Sequence, residues 1–160
     1  MAAGYSLSRH GIDFQIIEAN SGYGGRLKRD ASFADFPIDL GAEWIHQSPS
    51  VLADIIDNPE TDASVDFVVY NPQTIQSYNE GNLIDLNVGS NFYSEYKFES
   101  TTWVGFFEQF ILPEIQDKIV YNSPIAQIDY STDKVMATSA DGSSYEADKI
   151  LVTVPISILQ

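Results

Sequence analysis

Glu18 closes an apolar run, Ile12-Asp13-Phe14-Gln15-Ile16-Ile17, and a glycine-rich loop, Ser21-Gly22-Tyr23-Gly24-Gly25-Arg26, follows it. A carboxylate at the C-terminal end of a strand in a dinucleotide fold can accept both hydroxyl hydrogens of a ribose through charge-assisted bonds. Adjacent glycines let a backbone approach a ligand without Cβ obstruction and present amide donors. Arg26 would add a fixed cation and a fork of donors suited to pyrophosphate. Taken singly, each feature has a plainer reading. A Glu ending a strand is commonly a solvated edge residue, and Gly-Gly-Arg occurs in ordinary loops. Their order (strand, acid, paired glycines, arginine) is what points to one adenine dinucleotide.

Residues of this kind need elements to hold them. Residues 2–10 predict a helix stopped by Gly11, with basic groups in its last turn. The run at 12–17 predicts a buried strand, so helix and strand read as the second half of a βαβ unit. That unit needs an earlier parallel strand for the helix to cover, and none precedes it here, so an N-terminal truncation is expected. Residues 49–57 predict a short capped helix ending before Pro59. Residues 74–78 and 83–86 flank Asn79-Glu80-Gly81-Asn82, which predicts a hairpin with a four-residue turn. Residues 103–112 predict an amphipathic helix that bends or stops near Pro113. Residues 125–130, 134–138 and 143–147 predict successive antiparallel strands, with Asp141-Gly142 as the last tight turn. Ile150-Leu151-Val152-Thr153-Val154 predicts a strand buried on both faces.

With 160 residues, 44% of them hydrophobic, the chain has material for one ordinary packed domain. No apolar run approaches the roughly 20 residues that span a bilayer, and the first residues lack the features of a secretory signal. The absence of cysteine excludes disulfides and thiolate chemistry within the chain. It fits a reducing compartment, so a cytoplasmic location is expected. A formal net charge of −15 should repel nucleic acid and anionic membrane faces and attract cationic small molecules. The same charge also serves plain solubility.

Glu18-Ala19-Asn20-Ser21-Gly22-Tyr23-Gly24-Gly25-Arg26 resembles the E-A-x-x-x-x-G-G-R segment of the flavin-containing amine oxidases. Ile38-Asp39-Leu40-Gly41-Ala42-Glu43-Trp44-Ile45-His46 is similar to that family's D-x-G-A-x-W-I segment. Asn122-Ser123-Pro124-Ile125-Ala126-Gln127-Ile128 and Ala147-Asp148-Lys149-Ile150-Leu151-Val152-Thr153-Val154-Pro155 resemble two more of its stretches, in the family's order. The resemblance implies an α/β fold: an FAD-binding, Rossmann-like domain combining a parallel sheet with an antiparallel β-meander. The fold is expected to be truncated at both ends, with a short inserted portion of the substrate domain. The implied division is 1–48 and 118–160 for the FAD-binding domain and 49–117 for the insertion.

The resemblance also implies residue roles. Glu18 would bind the adenosine ribose with Ala19 behind it, and Ile125 would meet the adenine through its backbone. Gly24, Gly25 and Arg26 would serve the diphosphate and ribityl region. Gly41, Ala42, Glu43 and Trp44 would pass along the flavin ring, and His46 would stand on the substrate side. Trp44 as core packing and His46 as a partly exposed histidine satisfied by neighbours are the plainer alternatives. No residue here is assigned as the catalytic group, and no metal is implied.

The implied reaction is oxidation of a small-molecule amine, a polyamine being the suggested case, with dioxygen as acceptor. The family's G-x-G-x-x-G loop does not occur in this sequence, so the chain alone is expected to bind FAD poorly and to be inactive. Two rivals remain open. Carotenoid desaturases and protoporphyrinogen oxidases share the Glu then Gly-Gly-Arg layout, although Gly41-Ala42-Glu43-Trp44-Ile45-His46 favours the amine oxidases. The other rival is a non-catalytic remnant or binding module.

Overall fold

The computed structural model describes residues 1–58, 65–70, 74–87 and 95–159. The chain divides into two compact units, residues 1–14 with 24–117, and residues 15–23 with 118–160.

The first unit begins with α1 (Ala2–Arg9), ended by Gly11 at φ +66. Its core packing comes from α2 (Ser50–Ile56), α3 (Trp103–Phe110) and α4 (Leu112–Ile115), with α1 contacting both α2 and α4. Tyr5, Ile45, Leu52, Ile56, Phe106, Ile111 and Ile115 are buried together with the α3 N-cap, Thr102. Thr102 Oγ1 accepts the Gly105 amide at 3.0 Å, satisfying one of the helix's unpaired donors. Pro113 stands in the first turn of α4, where a missing N–H costs nothing, so the chain breaks at Ile111 and resumes. The helix at 50–56 forms where expected, but its N-cap position holds Pro49 and no side-chain cap. The left-handed Asp57 ends it, and Pro59, the expected stop, lies outside the described residues.

Sequence inspection did not anticipate the antiparallel pair β2 (Leu27–Asp30) and β3 (Ile38–Gly41), which pairs Leu27 with Gly41 and Asp30 with Ile38. Two further antiparallel pairs follow: β4 (Phe67–Tyr70) with β7 (Glu95–Phe98), and β5 (Thr74–Asn79) with β6 (Asn82–Asn87). The hairpin at 74–87 is tighter than expected. Asn79 pairs with Asn82, leaving a two-residue turn of Glu80 and Gly81 at φ +48 and +87, as a twisted hairpin prefers.

In the second unit, β1 (Ile16–Ile17) pairs in parallel with β8 (Ile119–Val120). The meander follows as β9 (Ile125–Asp129), β10 (Val135–Ser139) and β11 (Ser144–Ala147), in the spatial order β11-β10-β9. Gly142 at φ +90 makes the turn between the last two, aided by Asp141 accepting the Ser143 amide at 2.9 Å.

Two further sequence expectations need correction. The strand expected over 12–17 shrinks to Ile16–Ile17, and Ile12 is exposed, because Ile119–Val120 is the only ladder it finds among the described residues. Ile150 to Val154 form no strand, and Ile150, Leu151, Val152 and Val154 all face solvent. An apolar run shows what a strand would bury if neighbours flanked it, and no described strand pairs with this one. Among the described residues, no helix is long and apolar enough to cross a membrane.

Candidate functional site

In the second unit the backbone after β1 is laced to the segment after β8. Glu18 N donates to the Val120 carbonyl at 2.8 Å, Ser123 N to Glu18 O at 2.9 Å, and Asn122 N to Asn20 O at 3.0 Å. These bonds fix Glu18 at the carboxyl end of a parallel strand pair, the end where open α/β sheets bind ligands. Asn20, which sequence reasoning passed over, orients the carboxylate. Its amide and its Nδ2 both donate to Glu18 Oε1, at 2.8 and 2.9 Å. The described residues offer no hydrogen-bond partner to Oε2. Burial pushes the Tyr121 phenol above its ordinary value, and the Glu18 charge adds to that rise.

Ile125 begins β9, which lies at an edge of its sheet, and Ala19 is exposed. The turn leading to Ile125 is anchored by Ser123, buried to 4% exposure, whose hydroxyl lies 2.8 Å from the Tyr145 hydroxyl.

In the first unit, Gly24 and Gly25 take φ +103 and +58, and Leu27 N closes the turn on the Gly24 carbonyl at 2.9 Å. Both backbone conformations suit glycine and strain other residues. A Cβ on Gly24 would stand 2.6 Å from the Leu27 carbonyl oxygen, whereas one on Gly25 would meet nothing within 4 Å. Gly41, at φ +108, lies with its α-carbon against the Arg26 carbonyl, where a Cβ would collide with that oxygen. The β2–β3 register therefore brings Gly24-Gly25-Arg26 and the start of Gly41-Ala42-Glu43-Trp44 to one end of the hairpin.

Three successive residues of β7 back the rest of that segment. Ile45 and Tyr96 exchange backbone bonds of 2.8 and 3.1 Å. His46 Nδ1 lies 2.9 Å from Glu95 Oε1. The Lys97 ammonium pairs with Glu43 and sits 4.7 Å from the Trp44 ring centroid and 5.6 Å from that of Tyr70. Trp44 and Tyr70 are themselves 4.5 Å apart between centroids. Glu43 and Trp44 are thus engaged by side chains far away in sequence, and no local signal marked Lys97 or Glu95.

Helix α3 supports the hairpin from its N-terminus. Trp103 N donates to both Asp39 oxygens, at 3.1 and 3.4 Å, and Trp103 Nε1 donates to the Trp44 carbonyl at 3.4 Å. Arg29 reaches Glu108 through paired contacts of 2.6 and 3.3 Å. Burial pushes the Asp39 carboxyl up to about 6; the Trp103 amide opposes the rise, the Glu43 charge adds to it and Lys97 counters it.

A solved structure with this fold is a crystal structure from Photorhabdus luminescens, described as a candidate FAD-containing monooxygenase. It matches with a TM-score of 0.51 at 14% identity, over 92% of this chain and 34% of that one. The family model for flavin-containing amine oxidoreductases matches residues 1–108 and 107–160, and the chain belongs to that family.

Among curated relatives, human lysine-specific histone demethylase 2 is 52% identical over 42 residues, which is 26% of this chain and 5% of that protein. Mouse lysine-specific histone demethylase 1B is 53% identical over 38 residues, 24% of this chain and 5% of its own length. The chain thus aligns with a small part of each relative. The family so described is one of flavin-containing amine oxidoreductases.

Proposed function

We propose that this chain is the FAD-gripping portion of an amine oxidase that converts a small-molecule amine to an imine. Dioxygen is the electron acceptor and hydrogen peroxide the co-product. The observation that carries the reading is the hairpin end where Gly41 seats on the Arg26 carbonyl, so that the paired-glycine turn and the Gly41–Trp44 stretch adjoin. The donor sets suit FAD. Glu18 keeps one oxygen without a partner among the described residues, as a ribose-binding carboxylate requires. The Gly25 backbone is open on the side where a Cβ would stand, as a diphosphate-binding turn requires.

In this reading Glu18 holds the adenosine ribose, with Ala19 behind it, and the Ile125 backbone meets the adenine. Gly24, Gly25 and Arg26 hold the diphosphate and ribityl region. Gly41, Ala42, Glu43 and Trp44 line the flavin ring, and His46 faces substrate. FAD, when bound, supplies the two-electron acceptor for the bond beside the amine nitrogen. The residues of this chain bind it, orient it and limit its contact with water.

The net charge of −15 suits a cationic polyamine as substrate, and the absence of cysteine suits a cytoplasmic setting. Because the sequence holds no G-x-G-x-x-G loop, the chain alone is expected to take up FAD weakly and to show no turnover. Peroxide release from the intact enzyme is the test. Spermine, spermidine and aromatic amines should include a substrate, and silence with all of them would refute the amine assignment. Turnover of a carotenoid or a porphyrinogen instead would move the protein to the neighbouring flavoenzyme classes.

A further inference from the structure

We infer that Glu95 is a positioning residue that fixes His46 with its hydrogen on Nδ1, leaving Nε2 as an outward acceptor for the ammonium of an amine ligand. The inference rests on the amine-oxidase reading for its ligand class and on geometry for its wiring. The β7 clasp determines the orientation. Tyr96 holds Ile45 by two backbone bonds, Lys97 holds Glu43, and Glu95 comes opposite His46.

A carboxylate only accepts hydrogen bonds, so at 2.9 Å the imidazole must donate from Nδ1. Neutral imidazole then carries its lone pair on Nε2. The His46 side chain is 68% exposed and that of Glu95 30%, so the ring reaches solvent while its orienting partner is partly covered. The arrangement matches the way outer carboxylates fix the tautomer of functional histidines.

Such a group has work to do in amine oxidation. An ammonium ion has no nitrogen lone pair with which to form an imine. Transfer of its proton to Nε2 breaks one N–H bond and leaves the electron pair on the amine nitrogen. The imidazolium so formed lies against the Glu95 carboxylate. His46 would touch substrate; Glu95 acts through His46.

The chain has two histidines, His10 and His46, so long-range proton–nitrogen spectra of histidine-labelled protein resolve them, and a His10→Gln variant assigns them. In its neutral form His46 is expected to carry its hydrogen on Nδ1, the nitrogen that faces Glu95. Glu95→Gln should keep that form, because the amide oxygen still accepts, and Glu95→Ala should revert to the Nε2–H form usual for free imidazole.

Titration with n-butylammonium should shift the Nε2 resonance saturably in wild type and not in Glu95→Ala. Wild-type His46 with its hydrogen on Nε2 would overturn the positioning role. An unmoved Nε2 resonance would overturn the acceptor role. Should Glu95→Ala fail to fold, the wild-type and Glu95→Gln spectra still decide. A silent peroxide assay with an intact tautomer pattern would remove the enzyme reading and leave the Glu95–His46 pair standing.

Discussion

Replacing Gly41 by alanine should damage the hairpin end more than the same change at either position of an ordinary loop. The residue sits at φ +108, and a Cβ there would overlap the Arg26 carbonyl oxygen, which belongs to the backbone and cannot swing aside. Unfavourable backbone conformation costs about 1–3 kcal/mol, and forced overlap in a packed site roughly 1–3 kcal/mol more. The combined loss, about 2–6 kcal/mol, is a large part of a typical domain stability of about 5–15 kcal/mol. Gly25→Ala is the internal control: at φ +58 with nothing within 4 Å, it meets conformational strain alone, about 1–2 kcal/mol. Both tryptophans, Trp44 and Trp103, belong to the first unit, so urea unfolding followed by tryptophan fluorescence reports on that unit. Gly41→Ala should lower the midpoint well beyond Gly25→Ala. Equal midpoints for Gly41→Ala and wild type, or a greater loss from Gly25→Ala, would refute the argument that Gly41 is required by its seat on Arg26.

Other consequences follow from the same structure. Asp39 is raised from 3.8 to about 6, so its ionised form carries a folding penalty above pH 6 that is relieved as pH falls toward 4. Asp39→Asn keeps an acceptor for the Trp103 amide, so it should be more stable than wild type at pH 7.5, with the gap closing by pH 4; parallel stability curves would contradict this. The carboxyls of Asp30, Asp129, Asp141 and Asp148 are held below the ordinary 3.8, so their contribution is present above that value and is lost at lower pH, outside the Asp39 window. Phe106 is fully buried among Phe98, Trp103, Phe107 and Phe110. Phe106→Ala should cost about 3–5 kcal/mol, measured by the same urea titration; a loss below about 1 kcal/mol, as at a surface site, would sink that placement. Arg29→Met should cost roughly 0.2–1 kcal/mol at low salt and less in concentrated salt, because the Arg29–Glu108 pair is solvent-accessible; a salt-independent loss would show that its stem packing matters more than its charge.

Local signals made some of the fold legible. Alternation and an Asp-Gly turn gave the β9–β10–β11 meander, and Gly11 gave the end of α1. The β2–β3 hairpin was hidden because Leu27-Lys28-Arg29-Asp30 lacks a clean alternation, Ile38-Asp39-Leu40-Gly41 is too short to stand out on its own, and their register depends on Gly41 fitting over Arg26. The 150–154 run illustrates the converse. Composition states a capacity for burial, while exposure is decided by partners that local pattern does not encode.

The same split runs through the candidate site. Glu18 and the paired glycines could be picked out by type and spacing, and the Gly41–Trp44 stretch through the family resemblance. Asn20 locking Glu18, Lys97 over Trp44, Glu95 on His46 and the raised Asp39 could not. The last three arise from chain segments brought together only by folding, and Asn20 gained meaning only once the backbone after β1 was placed.

The claim that Glu18 and Arg26 hold FAD is tested most directly by titrating flavin fluorescence with the wild-type chain, Glu18→Gln, Arg26→Met and the remote control Lys134→Met. Weak, saturable binding is expected for wild type and for Lys134→Met. Losing a charged hydrogen-bonding partner costs about 1.5–3 kcal/mol, so roughly 10–100-fold weaker binding is expected for each of the other two. Equal affinity across all four proteins would contradict the assignment.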